Sequence, residues 1–208
     1  EDIPVRDAVP PLDPHAVLTE LGLDETLFRQ LLGAVMSAIH RQRKVYISLN
    51  VPVRELPIQA NRLLQVLMLA LPYAFRRRLG FTTYAKEPES RKGMQVLFVE
   101  SGSIRAGDRN LEREYIFDLS NGRIQAAQAG KAGQLYIDYA WQHLSRPDEL
   151  QKLQEFADQG QSGVEASSDS PPDPAQYDEW TMLYRAEQGD EELYGSQRGQ
   201  ILQTLLRH

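Results

Sequence analysis

Between residues 63 and 71 the chain reads Leu63, Leu64, Val66, Leu67, Met68, Leu69, Ala70 and Leu71, with Gln65 as the one polar interruption. Pro57 stands where the first turn of a helix tolerates proline, and Pro72 closes the run, so the pattern predicts a helix over 57–71. Its first half is mixed, with Gln59, Asn61 and Arg62. Its second half is apolar on nearly every side, and such a segment must be covered on nearly every side. Short β-type runs flank it at 45–49 and 81–85, and a third follows at 94–99. Strand, buried helix and strand in that order predict a right-handed crossover. Two further runs, 114–119 and 123–126, enclose Ser120-Asn121-Gly122. Asn-Gly between such runs signals a hairpin, because both residues accept positive φ. The hairpin is antiparallel by construction, so the expected fold is α/β or α+β. It has a mixed sheet with a β-α-β crossover, helices packed on it, and a helical C-terminal tail.

The remaining helices follow from periodicity and caps. Pro14 opens a short helix that Gly22 stops. Asp24 is a good N-cap for a second. Leu27, Phe28, Leu31, Leu32, Val35, Met36 and Ile39 form one stripe, which carries that helix to about His40. Pro72 starts a short helix carrying Arg76, Arg77 and Arg78, and Gly80 ends it. Helices are also expected over 134–144 and 147–157. Residues 1–13, with Pro4, Pro10 and Pro11, read as an extended linker, and 14–158 as the α/β domain. Residues 159–174, mostly Ser, Gly, Asp, Gln and Pro, read as a flexible linker. Residues 175–208 read as a helical docking tail, with Trp180 and Tyr184 anchoring its first half and Leu202 and Leu205 its second. The chain begins with Glu1 rather than Met, which suits excision from a longer protein.

Composition narrows the function. None of the 208 residues is Cys, which excludes disulfides, thiolate catalysis and Cys-ligated zinc. No apolar run reaches the roughly 18 residues of a membrane span, and no basic-then-apolar leader opens the chain, so a cytoplasmic setting is expected. Net charge is −6, which argues against non-specific nucleic-acid binding by the whole chain. The charge is divided, however: residues 41–92 carry +8 and residues 147–192 carry −11. The two segments either lie against each other or are each solvated.

Little in the sequence declares a reaction. His15, His40, His143 and His208 lack ligand spacing, so no metal site is assigned. Ser101-Gly102-Ser103 reads as a turn. Glu112, Glu114 and Asp118 share a strand face by alternation, and a solvated face accounts for them. The distinctive feature is Arg76-Arg77-Arg78. Neighbours on a helix lie about 100° apart, so at most two of the three can aim at one ligand. One reading is bidentate contact with phosphate or carboxylate. The other is that one Arg caps helix-end carbonyls, or pairs with an acid, while the rest are solvated. Arg41, Arg43 and Lys44 join the same anion- or partner-binding patch only if the crossover brings the two segments together.

Leu63-Leu64 through Leu71-Pro72, then Arg76-Arg77-Arg78-Leu79-Gly80-Phe81-Thr82-Thr83-Tyr84, resembles the middle region of bacterial GTPase-associated adaptor proteins, which belong to NTP-dependent conflict and signalling systems. That region typically runs strand, Leu-rich helix, Leu-Pro, an Arg pair, then Leu-Ser-Phe-Ser-Thr or similar. Here Gly80 and Thr82 stand where Ser is common. The resemblance covers about residues 31–124. It implies an α/β scaffold with no catalytic residue to carry over and no cofactor, acting as a non-enzymatic interaction module on a GTPase-like partner or on other domains of a parent chain. A nucleotide- or phosphate-binding domain using Arg76–Arg78 is the alternative, and nucleic-acid binding through 41–92 a further one.

Overall fold

The computed structural model describes residues 12–105, 107–126, 132–161, 171–190, 199 and 202–204. Helix starts follow the capping chemistry. The Asp13 carboxylate accepts from the N–H groups of His15 and Ala16 at 3.0 and 3.2 Å and opens α1 (Pro14–Glu20). Asp24 accepts from Leu27 N–H at 2.8 Å and opens α2 (Glu25–Arg41). The buried face of α2 holds Phe28, Leu31, Leu32, Val35, Met36 and Ile39, six of the seven residues of the stripe, with Leu27 partly buried against the same core. Then come β1 (Val45–Ser48), α3 (Leu56–Ala70), α4 (Tyr73–Arg76), β2 (Phe81–Ala85), β3 (Val96–Val99), β4 (Tyr115–Asp118) and β5 (Arg123–Gln125). Three helices complete the described chain: α5 (Gln134–Gln142), α6 (Pro147–Gln161) and α7 (Pro174–Glu187).

The five strands form one mixed sheet in the order β2-β3-β1-β4-β5. β1, β2, β3 and β4 run parallel, and β5 is antiparallel to β4. The chain from β1 through α3 and α4 does reach a parallel strand, but β3 lies between β1 and β2. The residues explain the insertion. Val96-Leu97-Phe98-Val99 is buried on both faces and needs a neighbour on each side, whereas Phe81-Thr82-Thr83-Tyr84 tolerates an edge. The hairpin also differs in detail from expectation. Asp118 pairs with Arg123, so four residues make the turn, and of Asn121 and Gly122 only Gly122 takes positive φ. A four-residue loop does not require the two left-handed residues of a type I′ turn.

Side chains alternate across the sheet. Val45, Ile47, Val96, Phe98, Tyr115 and Phe117 face the helices and join the large core. Tyr46, Leu97, Val99 and Ile116 face the other way. They pack under Ile104 and Leu111 of the segment joining β3 to β4. That segment is clipped down by Gln125, whose amide donates to the carbonyls of Leu111, Glu112 and Glu114. Helix α3 buries Leu63, Leu64, Val66, Leu67 and Ala70, as the apolar run requires. Each such Leu contributes roughly 1.5–3 kcal/mol by leaving water.

Two helix-end expectations change. α4 stops at Arg76, and Arg77 caps it, so the three arginines do not share a helix. Gly80 has no positive φ. A Cβ there would sit 1.7 Å from the carbonyl oxygen of Gly93, so glycine is needed for close approach rather than as a helix terminator. Beyond the sheet, α7 packs on α5, α6 and α2. Residues 1–11, 162–170, 191–198, 200–201 and 205–208 lie outside the described set, and with them most of the two expected linkers and most of the expected second tail helix. α6 continues to Gln161.

Candidate interaction face

The outward side of α3, together with α4 and the exposed edge of β2, carries four of the seven exposed large hydrophobic side chains among the described residues. Ile58, Asn61, Gln65 and Met68 recur at helical spacing along that side of α3. Ile58 is 62% exposed, Tyr73 57%, Phe81 39% and Tyr84 42%. A groove of about 520 Å³ runs past Leu64, Met68, Leu69, Arg76 and Phe81. A second, of about 450 Å³, runs past Leu69, Tyr73, Arg76, Leu150, Gln154 and Asp158. They share Leu69 and Arg76, so the two grooves meet around the Arg76 side chain.

Arg76 is held from beneath. Its Nη2 donates to Gln154 Oε1 at 3.0 Å. The Gln154 amide donates to Tyr136 Oη at 3.3 Å and to Leu71 O at 3.5 Å, and Tyr136 donates to Ala70 O at 2.6 Å. The chain of bonds satisfies carbonyls left open at the end of α3. Tyr136 is fully buried, and burial pushes its hydroxyl pKa up, so it remains a donor at any ordinary pH. The Asp158 carboxyl is raised by burial, with the Arg76 and Arg77 charges pulling it back down. Arg76 therefore serves the helix-end network. Arg77 is exposed and Arg78 half-buried.

The edge of β2 is not an open template for another strand. Its register with β3 slips by one residue between Thr82 and Ala85, a bulge. The Thr82 hydroxyl donates to Tyr84 O at 3.0 Å and sits 3.5 Å from Tyr84 N, so the side chain occupies the edge backbone there. Tyr84 Oη in turn donates to Glu100 at 2.5 Å, and this bond raises the tyrosine pKa. A partner at this edge meets side chains, chiefly Phe81 and Tyr84.

The second basic segment lies at the start of β1. Arg43 Nη1 donates to Arg113 O at 3.1 Å, and its guanidinium lies 5.9 Å from the Tyr115 ring centroid. Lys44 Nζ donates to Arg91 O at 2.8 Å and to Met94 O, while its backbone N–H meets Glu114. Arg41 ends α2 and is exposed. Val45 N–H bonds Gln95 O and Gln95 N–H bonds Gly80 O, so Lys44 and Gly80 stand at the same end of the sheet, two strands apart. The sheet thus brings both sequence-assigned basic segments to one edge, except for Arg76, which is committed to Gln154.

The tail anchors fall on the helical layer. Trp180 and Tyr184 are buried, with ring centroids 6.1 and 5.5 Å from Phe156. Gly160 makes room for Trp180, since a Cβ there would lie 2.3 Å from the indole. Leu202 is 52% exposed, and Leu205 lies outside the described residues. Asp178 of α7 accepts from Gly133 N–H at 2.7 Å and Tyr136 N–H at 3.2 Å, capping α5 from another helix. Sequence reasoning missed Gln154, Tyr136, Asp178 and Gln125, and none of them carries a local signal. The described histidines have ordinary partners: His15 packs edge-on to Trp141, His40 bonds Pro172 O, and His143 stacks on Tyr139, while His208 lies outside the described residues. Among the described residues no group of three or more His, Asp or Glu is placed to hold a metal, and no helix is long and apolar enough to cross a membrane.

The family model for GTPase-associated protein 1, middle domain, matches residues 17–121, half of the chain. The chain belongs to this family. The match begins earlier than the resemblance suggested, at Val17 within α1, and runs through β4, including the groove-lining side of α3, α4 and β2. β5, α5, α6 and α7 fall outside the matched span, so Gln154 and Asp158 of the second groove lie beyond it. The description of the middle-domain family names association with a GTPase. No curated protein and no solved structure matches the chain.

Proposed function

We propose that this chain is a non-enzymatic interaction module, working as a scaffold or adaptor segment of a larger bacterial multidomain protein. It contacts a GTPase-like protein, or other domains of its parent chain, in a cytoplasmic setting. The observation that carries the reading is exposed Tyr73 and Phe81 lining grooves that meet at Arg76, with Ile58 exposed on α3 and Tyr84 on β2. Aromatic residues and arginine are the side chains most enriched in the energetic centres of protein interfaces. Membership in a GTPase-associated family supplies the class of partner. The bond from Arg76 to Gln154 supports a structural use of that arginine over phosphate capture.

The test replaces Tyr73 and Phe81 together by Asp. Tyr73 is well exposed and Phe81 partly so, so a thermal melt and circular dichroism of the double variant are read first to show that it folds. Crosslinked capture from a source lysate, read by mass spectrometry, should recover a GTPase with the natural chain and lose it with the double variant. Equal recovery by both would move the contact off this face. Recovery of no GTPase by either would sink the reading.

A further inference from the structure

Each of the four parallel strands is preceded by cations. Arg43 and Lys44 precede β1, Arg77 and Arg78 precede β2, Arg91 and Lys92 precede β3, and Arg113 precedes β4. Parallel strands start at the same edge, so a regularity scattered over 71 positions of sequence, 43 to 113, becomes one surface. Hydrogen bonds stitch the segments together there. The Arg43 side chain reaches Arg113 O, the Lys44 side chain reaches Arg91 O, and Gly80 N–H donates to Gln95 Oε1 at 2.7 Å. Arg41, at the end of α2, adds another cation. Across four strands the edge spans about 14 Å, three times the spacing between neighbours.

We infer that this amino edge of the sheet is a docking surface for an acidic protein segment. The inference rests on reading the chain as a protein-contacting module and names the chemistry of what it contacts. Part of the cationic set is already used, by the carbonyls under Arg43 and Lys44 and by Glu89 near Arg91 at 3.9 Å. Arg77, Arg91, Lys92 and Arg113 are nonetheless exposed. Interleaved carboxylates decide the class of partner. Glu89 and Glu112 are exposed among these cations, Glu114 meets the Lys44 backbone, and Asp158 lies within electrostatic reach of Arg77. A uniformly charged phosphate backbone meets repulsion at each of these, and the chain as a whole carries −6. A protein segment can set acids against the cations and its own Lys or Arg against the carboxylates, which is how charge patterns give specificity.

The probe is a fluorescein-labelled Asp/Glu-rich peptide, followed by anisotropy at low and physiological salt. An oligonucleotide of equal charge is run beside it. The test variant is Arg77→Glu with Lys92→Glu and Arg113→Glu. A control variant, Arg54→Glu with Lys86→Glu and Arg105→Glu, makes the same change in net charge away from this edge. Peptide affinity should fall about tenfold or more in the edge variant and change little in the control, and it should weaken as salt rises. If the edge variant fails to fold, the same three positions changed to Gln give the same comparison with half the charge change. Equal loss in both variants, or no loss in either, overturns the inference, as does tighter binding of the oligonucleotide than of the peptide. Capture of a GTPase undiminished in the edge variant, with peptide binding equally undiminished, overturns it while leaving the proposed function standing. Peptide binding confined to this edge with no GTPase ever captured upholds the acidic-segment site and removes the GTPase reading instead.

Discussion

Replacing Asp178 by Ala tests whether α7 is an integral part of this fold or a separable tail. Its carboxylate takes the N–H groups of Gly133 and Tyr136, at 2.7 and 3.2 Å, and lies close to those of Gln134 and Leu135. These are the orphan donors at the start of α5, whose N-cap, Gly133, has no side chain to cap them. Losing a helix cap costs about 0.5–2 kcal/mol, and burial offsets the charge-assisted part of these bonds. We expect about 1–2 kcal/mol for Asp178→Ala, and roughly half that for Asp178→Asn, which keeps one acceptor. Urea denaturation followed by far-UV circular dichroism and by tryptophan fluorescence measures both. The fluorescence reports Trp180 of α7 and Trp141 of α5. The two transitions should coincide in the natural chain and shift together in the variants. The pH dependence has a definite sign. Burial raises the folded-state pKa of Asp178 above 3.8, against the pull of the N–H bonds. The folded state then holds the proton more tightly than the unfolded state. This contribution is fully present below pH 3.8 and is lost as pH rises through the folded pKa. The stability gap between the natural chain and Asp178→Asn should therefore narrow as pH rises across that window. A cost below about 0.5 kcal/mol for Asp178→Ala, the size of an ordinary surface change, would refute the reasoning. So would a Trp180 transition that runs ahead of the circular dichroism.

Gly80→Ala should destabilise by about 3 kcal/mol, because the new methyl meets backbone atoms of Gly93 and Met94 rather than a side chain that can swing away. A thermal melt within about 1 °C of the natural chain would show that the approach of these two loops is not needed. Saturating GTP or ATP with Mg²⁺ should leave the melting temperature unchanged, since Arg76 is engaged by Gln154. A phosphate site filled at a hundred times its dissociation constant would stabilise by about 2.7 kcal/mol, a shift that differential scanning fluorimetry detects easily.

What the sequence made legible was local. Asp13 and Asp24 announce α1 and α2 because a cap acts within three residues, and the stripe from Phe28 to Ile39 marks a buried face because helical period is a property of the segment alone. Strand existence was legible for the same reason, while strand order was not. Order depends on which strand needs cover on both faces, a property of Val96-Leu97-Phe98-Val99 relative to Phe81-Thr82-Thr83-Tyr84 rather than of either alone. Asp178 and Gln154 were illegible outright. An Asp that caps a helix 42 to 45 positions away resembles any solvated carboxylate in a helix, and only the packing of α7 onto α5 gives it that work.

The amino edge falls between these cases. Its cations were visible one by one, and two groups of them invited attention, yet nothing in the neighbourhood of Lys44 says that Arg113 will stand beside it. The missing premise was parallelism. Once four strands are parallel, every residue just before a strand belongs to one surface and every residue just after it to the opposite one. The side chains before the strands are then read as a set: Arg43-Lys44, Arg77-Arg78, Arg91-Lys92 and Arg113. The same length of chain after the strands, residues 49–53, 86–90, 100–104 and 119–123, carries only Lys86 and Arg123 as cations. That asymmetry between the two ends of one sheet is hard to assign to solubility, which would be served by charge at either end. It is the observation on which the proposed docking surface stands, and that edge adjoins, through Arg76-Arg77, the grooves that share Leu69 and Arg76.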